Sequence, residues 1–344
     1  MKAKIKISAV VATATIFLTA ISAFAREFLP IASIHEGGSI ANATFFNAGA
    51  ALPATPSSMS LNPALPAAWH FFTHNRMSAF GIYHRERNDD FFNAGGGGSL
   101  ALGMGQYFGV EYNLRRINDD NGDIVNRATF AYGMLIDQTD DDALFWGVNV
   151  SYFNSRKTVL RPALQETDEY REVFVRDNIF AADLGFYQAG SGEGLSWAIV
   201  LENIFGYWHN DFGGDISSGV LSKRYNSFLL GTCLSAPITH NVLLLVPLDV
   251  RFWGFMNKPL RRSTNLRYRT EVHSGLELQI GGMLAGRLGW AWIPEQYTTD
   301  EHGQLNFSGW DNRFNGGFGV NWHIFGVDML FARNTWGIGV SMFL

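Results

Sequence analysis

Hydrophobic and polar residues alternate along most of the chain. Between Val242 and Phe255, Leu244, Val246, Leu248, Val250 and Phe252 fall on one face, and Leu245, Pro247, Asp249, Arg251 and Trp253 on the other. Val272, Leu276, Leu278 and Ile280 likewise oppose Glu271, His273, Glu277 and Gln279. Phe314, Phe318, Val320 and Trp322 oppose Arg313, Asn315, Gly319 and Asn321. Trp336, Ile338, Val340, Met342 and Leu344 oppose Gly337, Gly339, Ser341 and Phe343. A period of two marks β-strands, whose successive side chains point to opposite faces. The pattern predicts strands near 76–86, 96–104, 107–116, 126–136, 143–156, 177–188, 195–206, 224–235, 243–255, 269–281, 286–293, 312–323, 326–333 and 336–344.

That is about fourteen strands, an even number, as single-chain bacterial barrels have. The apolar face of such strands turns inward in a soluble sandwich and outward to lipid in a membrane barrel. Segment length favours the barrel, since a tilted strand needs about ten residues to cross the hydrocarbon. So do aromatics gathered near strand ends, namely Trp146, Tyr152, Trp197, Tyr207, Trp208, Trp253, Trp290, Trp292, Trp322 and Trp336, because amphipathic rings prefer the headgroup level. Connections alternate as well. Short turns at 105–106, 137–142, 189–194, 236–241, 283–286 and 323–326 alternate with longer loops at 157–176, 207–223, 256–268 and 294–311. Barrels have short periplasmic turns and longer outer loops. The expected fold is all-β: a transmembrane antiparallel β-barrel. A soluble β-sandwich is the alternative on pattern alone.

Composition narrows the class. The chain has 344 residues, 17% of them charged, and a net charge of −5, so nothing argues for a nucleic-acid partner. Lys2, Lys4 and Lys6, an apolar run from Ile7 to Ile21 and the small residues around Ala23-Phe24-Ala25 read as a signal peptide over 1–25. Residues 26–75 are rich in Ala, Ser, Asn, Gly and Pro but carry Phe45, Phe46, Leu52, Met59, Leu61, Leu65 and Trp69. They read as an N-terminal segment packed into or under a barrel over 76–344. The single cysteine, Cys233, forms no internal disulfide and reads as a small packed side chain.

Candidate chemistry is sparse. Asp119-Asp120-Asn121-Gly122-Asp123 begins like a calcium loop, but the twelfth position is Phe130, so it reads as a hairpin turn. Asp140-Asp141-Asp142 reads as a solvated turn. Gly95–Gly98, Gly103, Gly105 and Gly109 are followed by no Lys-Ser/Thr pair and no helix, so they bind no phosphate; they kink the wall or make room for the N-terminal segment. The inward polar set is Glu111, Arg115, Asp183, Glu202, Asp249, Arg251, Glu271, His273, Glu277, Arg313 and Asp328. It is either a salt-bridged lumen that holds the N-terminal segment or a polar pathway for a ligand head group. His273 and Ser274 are adjacent and turn to opposite faces. No nucleophile–base constellation, metal site or cofactor motif stands out, and the chain does not read as an enzyme.

Ser60-Leu61-Asn62-Pro63-Ala64-Leu65-Pro66-Ala67, preceded by Asn47-Ala48-Gly49-Ala50-Ala51, resembles the Asn-Pro-Ala box of the long-chain fatty acid transporter (FadL) superfamily and its PorV-like branch. Gly317-Phe318-Gly319-Val320, Val327-Asp328 and Gly337-Ile338-Gly339-Val340-Ser341 look like the last three strands of those proteins. Leu201-Glu202-Asn203-Ile204-Phe205-Gly206 looks like their Asn-x-x-Gly strand end. The chain departs from them in lacking an acidic residue before the box, near Thr55 and Pro56, and in ending in Leu344 rather than an aromatic. The resemblance implies a fourteen-stranded outer-membrane barrel with an N-terminal plug, with Asn62, Pro63 and Ala64 as plug or gating residues. It implies that the molecules passed are small and hydrophobic; the mechanism expected has ligand entering from the extracellular loops, with a rearrangement of residues 36–66 opening a route. The PorV-like branch implies instead an accessory barrel that binds secreted proteins through loops 157–176, 207–223 and 294–311. A purely structural outer-membrane role is the third reading. The partners expected are outer-membrane lipid, a hydrophobic small-molecule ligand or secreted proteins, and the barrel-assembly machinery during insertion.

Overall fold

The computed structural model describes residues 39–45, 48–52, 58–72, 75–85, 90–103, 105–118, 124–139, 142–162, 170–190, 194–212, 215–220, 227–253, 269–294, 297–299, 305–307, 310–332 and 335–343. The signal peptide expected over 1–25, the Asp119–Asp123 turn and Asp140-Asp141 lie outside the described residues.

Among the described residues, seventeen strands follow a short helical segment. They are β1 (Arg76–Arg85), β2 (Asp90–Gly103), β3 (Gln106–Asn118), β4 (Ile124–Gln138), β5 (Asp142–Pro162), β6 (Tyr170–Gly190), β7 (Gly194–Phe212), β8 (Asp215–Val220) and β9 (Ser227–Thr239). Then come β10 (Val242–Trp253), β11 (Arg269–Ile280), β12 (Leu284–Pro294), β13 (Tyr297–Thr299), β14 (Leu305–Phe307), β15 (Trp310–Trp322), β16 (Phe325–Ala332) and β17 (Thr335–Phe343). All ladders are antiparallel, β1 pairs with both β2 and β17, and β7 pairs with both β6 and β9. The sheet therefore closes into a fourteen-stranded barrel, with β8 folded back on the outer part of β7 and β13–β14 forming a separate hairpin. Closure removes the unpaired sheet edges that lipid would not tolerate.

The strands fall where the alternation placed them, with one systematic difference. β5, β6 and β7 run for 21, 21 and 19 residues. Much of the expected loops 157–176 and 207–223 is therefore paired backbone, and 294–311 holds the β13–β14 hairpin. An antiparallel ladder needs only backbone groups, so at the long-loop end it continues through residues with no apolar alternation. A second difference lies at Asn203. The expected strand end is a bulge inside β7, where Asn203 has φ 55° and the β6–β7 register shifts between Ala182 and Leu184. Asn enters the left-handed region more readily than most residues.

The two faces of the wall differ as the pattern requires. Outward residues are large and apolar: Phe130 is 51% exposed, Leu288 60% and Val340 53%. A surface that apolar suits lipid rather than water. Trp292, Trp322, Trp336, Tyr152 and Tyr207 are exposed. Trp208 is a correction to the expected girdle: it shares the parity of the buried Glu202 and packs inward on Phe153, Ile179 and Ala181.

Inside the ring lie helix α1 (Ile40–Thr44), a turn at 48–52, a 3-10 turn (Ser58–Ser60) and helix α2 (Leu65–Phe72). Ser39 caps α1 by accepting a hydrogen bond from the Asn42 N–H. Phe45, Leu52, Met59, Leu61 and Leu65 pack with Tyr107, Phe145, Tyr187, Leu229 and Leu245 of the wall in one core.

Phe130 pairs with Val110 and Val150 near the middle of the outer face. Phe130→Arg should cost about 2–4 kcal/mol of stability. Urea unfolding from lipid vesicles measures this, and unchanged stability would place that face away from hydrocarbon.

Candidate functional site

The lumen is where the chain's polar residues converge, and it is built in tiers. On β5 the inward positions run Phe145, Gly147, Asn149, Ser151 and Phe153. Phe145 belongs to the lower apolar core, where its ring stacks on Tyr187 at 6.2 Å between centroids. Phe153 belongs to an upper apolar cluster with Ile179 and Ala181, flanked by Val125 and Trp208. Between them sits a polar belt.

The belt is built from ion pairs. Arg127 donates to Glu111 at 2.7 Å, and Arg251 to Glu202 at 3.0 Å. Ser227 completes the Glu202 site by donating its hydroxyl to the same carboxylate. Arg287 bridges Glu277 at 2.7 Å and Asp328 at 2.5 Å. The second of these contacts passes over β15, where a Cβ at Gly319 would stand 2.6 Å from Asp328 Oδ1 and 2.8 Å from Arg287. His273 Nε2 lies 3.8 Å from Glu271. Asp183 accepts the Asn203 N–H at 2.7 Å, which ties the β7 bulge to the wall. Buried charges are tolerated because they are paired or hydrogen-bonded.

Of the eleven inward residues named from the sequence, Glu111, Asp183, Glu202, Asp249, Arg251, Glu271, His273 and Glu277 are buried. Arg115 and Asp328 are half-buried. Arg313 is in register with the inward Ala291 but exposed. Ser274 turns away from His273, and its hydroxyl donates to the Pro247 carbonyl at 2.7 Å.

The inner segment meets this lumen at three places. The first holds the Asn-Pro-Ala box. Asn62 donates to the carbonyls of Ala50 at 2.9 Å and Phe186 at 3.3 Å, and accepts the Ala64 N–H at 3.0 Å. Tyr107 donates its hydroxyl to the Pro63 carbonyl, and Asn149 donates to the Met59 carbonyl at 3.0 Å. The wall under the box is glycine. A Cβ at Gly147 would collide with the Pro63 carbonyl, one at Gly185 with the Asn62 side chain, and one at Gly133 with Tyr107. The second place holds α1. A Cβ at Gly289 would collide with the Thr44 carbonyl and one at Gly275 with Phe45, while Asn315 donates to the Ala43 carbonyl at 3.1 Å. At the third, Asp249 Oδ2 accepts the N–H groups of Gly49 at 2.8 Å and Ala50 at 2.9 Å.

Several of these residues escaped the sequence reading. Arg127 and Arg287 have inward parity in their strands, a signal that was available. Gly133, Gly147, Gly185, Gly275 and Gly289 are also inward and mid-strand, where glycine marks close backbone approach. Gly95–Gly98 make no such room: their missing side chains would meet β1 and β3. Gly109 does, lying against Met59, whereas Gly103 and Gly105 serve a turn with φ of 91° and 70°. A cavity of about 370 Å³ opens at the short-turn rim beside Pro237, His240, Leu243 and Gln279.

No family model matches the sequence, and no curated protein does either. Solved structures do match. The toluene transporter TbuX of Ralstonia pickettii superposes with a TM-score of 0.56 at 11% identity, covering 90% of this chain and 99% of that one. The toluene transporter TodX of Pseudomonas putida gives 0.55 at 9%, covering 90% and 99%. A FadL homologue of Pseudomonas aeruginosa gives 0.54 at 9%, covering 88% and 97%. These likenesses show a common fold, and the barrel that the Asn-Pro-Ala resemblance implied is the barrel found.

Proposed function

We propose that the protein is an outer-membrane channel for small hydrophobic molecules. The observation that carries this reading is a closed barrel whose lumen is crossed by a seated inner segment, in a fold shared along most of its length with toluene transporters. Residues 1–25 direct export, 26–75 form the plug and 76–344 the barrel, which the assembly machinery inserts into the membrane. The ligand enters from the long-loop end and meets the apolar cluster around Phe153, Ile179 and Trp208. The polar belt below is internally paired, which suits uncharged cargo. Passage requires the segment that holds Asn62, Pro63 and Ala64 to move.

Ethylbenzene uptake by cells that lack other hydrocarbon channels tests the function. Expression of the protein should accelerate uptake several-fold over a vector control, and equal rates would overturn the reading. Asn62→Ala removes three hydrogen bonds from the box, each worth about 1 kcal/mol, and should change that rate.

Gly147→Val should lift the box off the wall while β-sheet circular dichroism is retained. Conductance in planar bilayers and protease cleavage within 58–72 should both rise. Gly286→Val, where a Cβ meets open space, should leave both as they are. Unchanged conductance in Gly147→Val would mean that the inner segment is not the barrier.

A further inference from the structure

Two buried polar groups flank the Gly49–Ala51 stretch with bonding capacity unused. Asn42, on α1, is fully buried, and neither its Nδ2 nor its Oδ1 has a hydrogen-bond partner among the described residues. Its Oδ1 lies 3.1 Å from where a Cβ on Gly49 would stand. Asp249 uses Oδ2 for the Gly49 and Ala50 N–H groups. Its Oδ1 is buried without a partner among the described residues, on the side of Gly231 and the Ala51 N–H. Around them the segment is apolar, with Leu52 and Leu61 against Gly49 and with Phe45 and Ala48 buried. An unpaired buried amide or carboxylate oxygen costs about 1–3 kcal/mol, so such a pair in an apolar setting points to something that completes it.

We propose that this site receives the hydroxyl group of a small hydrophobic alcohol or phenol as the molecule passes the inner segment. The inference rests on the channel reading and narrows its substrate class. A hydroxyl has the required complement: its O–H donates to Asp249 Oδ1, and its oxygen accepts from Asn42 Nδ2. A plain hydrocarbon leaves both groups unpaired. A carboxylate is repelled, because Asp249, Glu202 and Glu271 face this part of the lumen, and the Arg251 guanidinium is engaged by Glu202. His273, opposite Asp249 in the ladder, is drawn toward Glu271. A site that hydrogen-bonds a hydroxyl discriminates strongly against analogues that lack it.

The test uses three molecules of one shape, 4-ethylphenol, ethylbenzene and 4-ethylbenzoate, titrated calorimetrically into the purified full-length protein in mild detergent. 4-Ethylphenol should bind about thirtyfold more tightly than ethylbenzene, the worth of two buried hydrogen bonds, and 4-ethylbenzoate weakest. In Asn42→Leu the phenol-to-hydrocarbon ratio should fall about fivefold, because only the bond to Asp249 Oδ1 is left. In Asp249→Asn, which keeps an acceptor for Gly49 and Ala50, the penalty on 4-ethylbenzoate should shrink. If Asn42→Leu does not yield a barrel, Asn42→Ala is read in the same way. Equal binding of 4-ethylphenol and ethylbenzene by the wild type, as when water alone fills the site, overturns the proposal. So does a preference that substitution of Asn42 leaves unchanged. Ethylbenzene uptake separates the two readings: uptake without phenol preference removes only this inference, whereas binding without any uptake removes the channel.

Discussion

Every backbone N–H and C=O within the hydrocarbon must find its partner in the protein, because lipid offers none. The pairing of β1 with β17, from Arg76 opposite Phe343 to His84 opposite Thr335, satisfies that constraint by joining the two ends of the sheet. Once the ring is closed, each strand has a lipid face and a lumen face, and the alternation of the sequence follows. The cost of an exception is visible at Pro247, which has no N–H to give to the ladder. The β10–β11 pairing leaves out Val246 and Pro247 without a shift of register, and the Ser274 hydroxyl donates to the Pro247 carbonyl.

A ring of fourteen strands encloses more space than its own side chains fill. The inner segment occupies that space, and glycine decides how closely it approaches. Where the wall presents Gly147, Gly185, Gly275 and Gly289, backbone meets backbone. Where it presents Tyr107, Asn149, Asp249 and Asn315, a side chain donates to or accepts from the segment's peptide groups. The segment is thus held through its main chain, and that makes small residues around the box suitable partners for the wall.

Charge in the lumen is balanced locally. Arg127, Arg251 and Arg287 each engage an acid, and Arg287 reaches across β15 because Gly319 leaves the way clear. An internally paired belt offers little to a free ion, since drawing on any member strands its partner in a low dielectric. The apolar tiers above and below it, around Phe153 and around Phe145, continue this uncharged lining along the lumen.

The period-two pattern by itself determined the strand number, the alternation of short and long connections, and which acids line the lumen. Glu111, Asp183, Glu202, Asp249 and Glu277 were legible because each sits at inward parity in an otherwise apolar strand, and burying a charge is too costly to happen by accident. The inward face of Trp208 was legible from the parity it shares with Glu202, but the sequence could not show that Asn203 is a bulge or that β5 to β7 continue through the expected outer loops. Register and backbone pairing decide these, and side-chain pattern does not encode them. Nor could it say which glycines serve the wall and which serve the inner segment. Gly95–Gly98 and Gly147 look alike in sequence, and only the tertiary structure, by bringing residue 63 against residue 147, gives one of them a neighbour across the lumen. The partners of Asp249 were hidden for the same reason: its hydrogen bonds to Gly49 and Ala50 span some two hundred residues and leave no local trace.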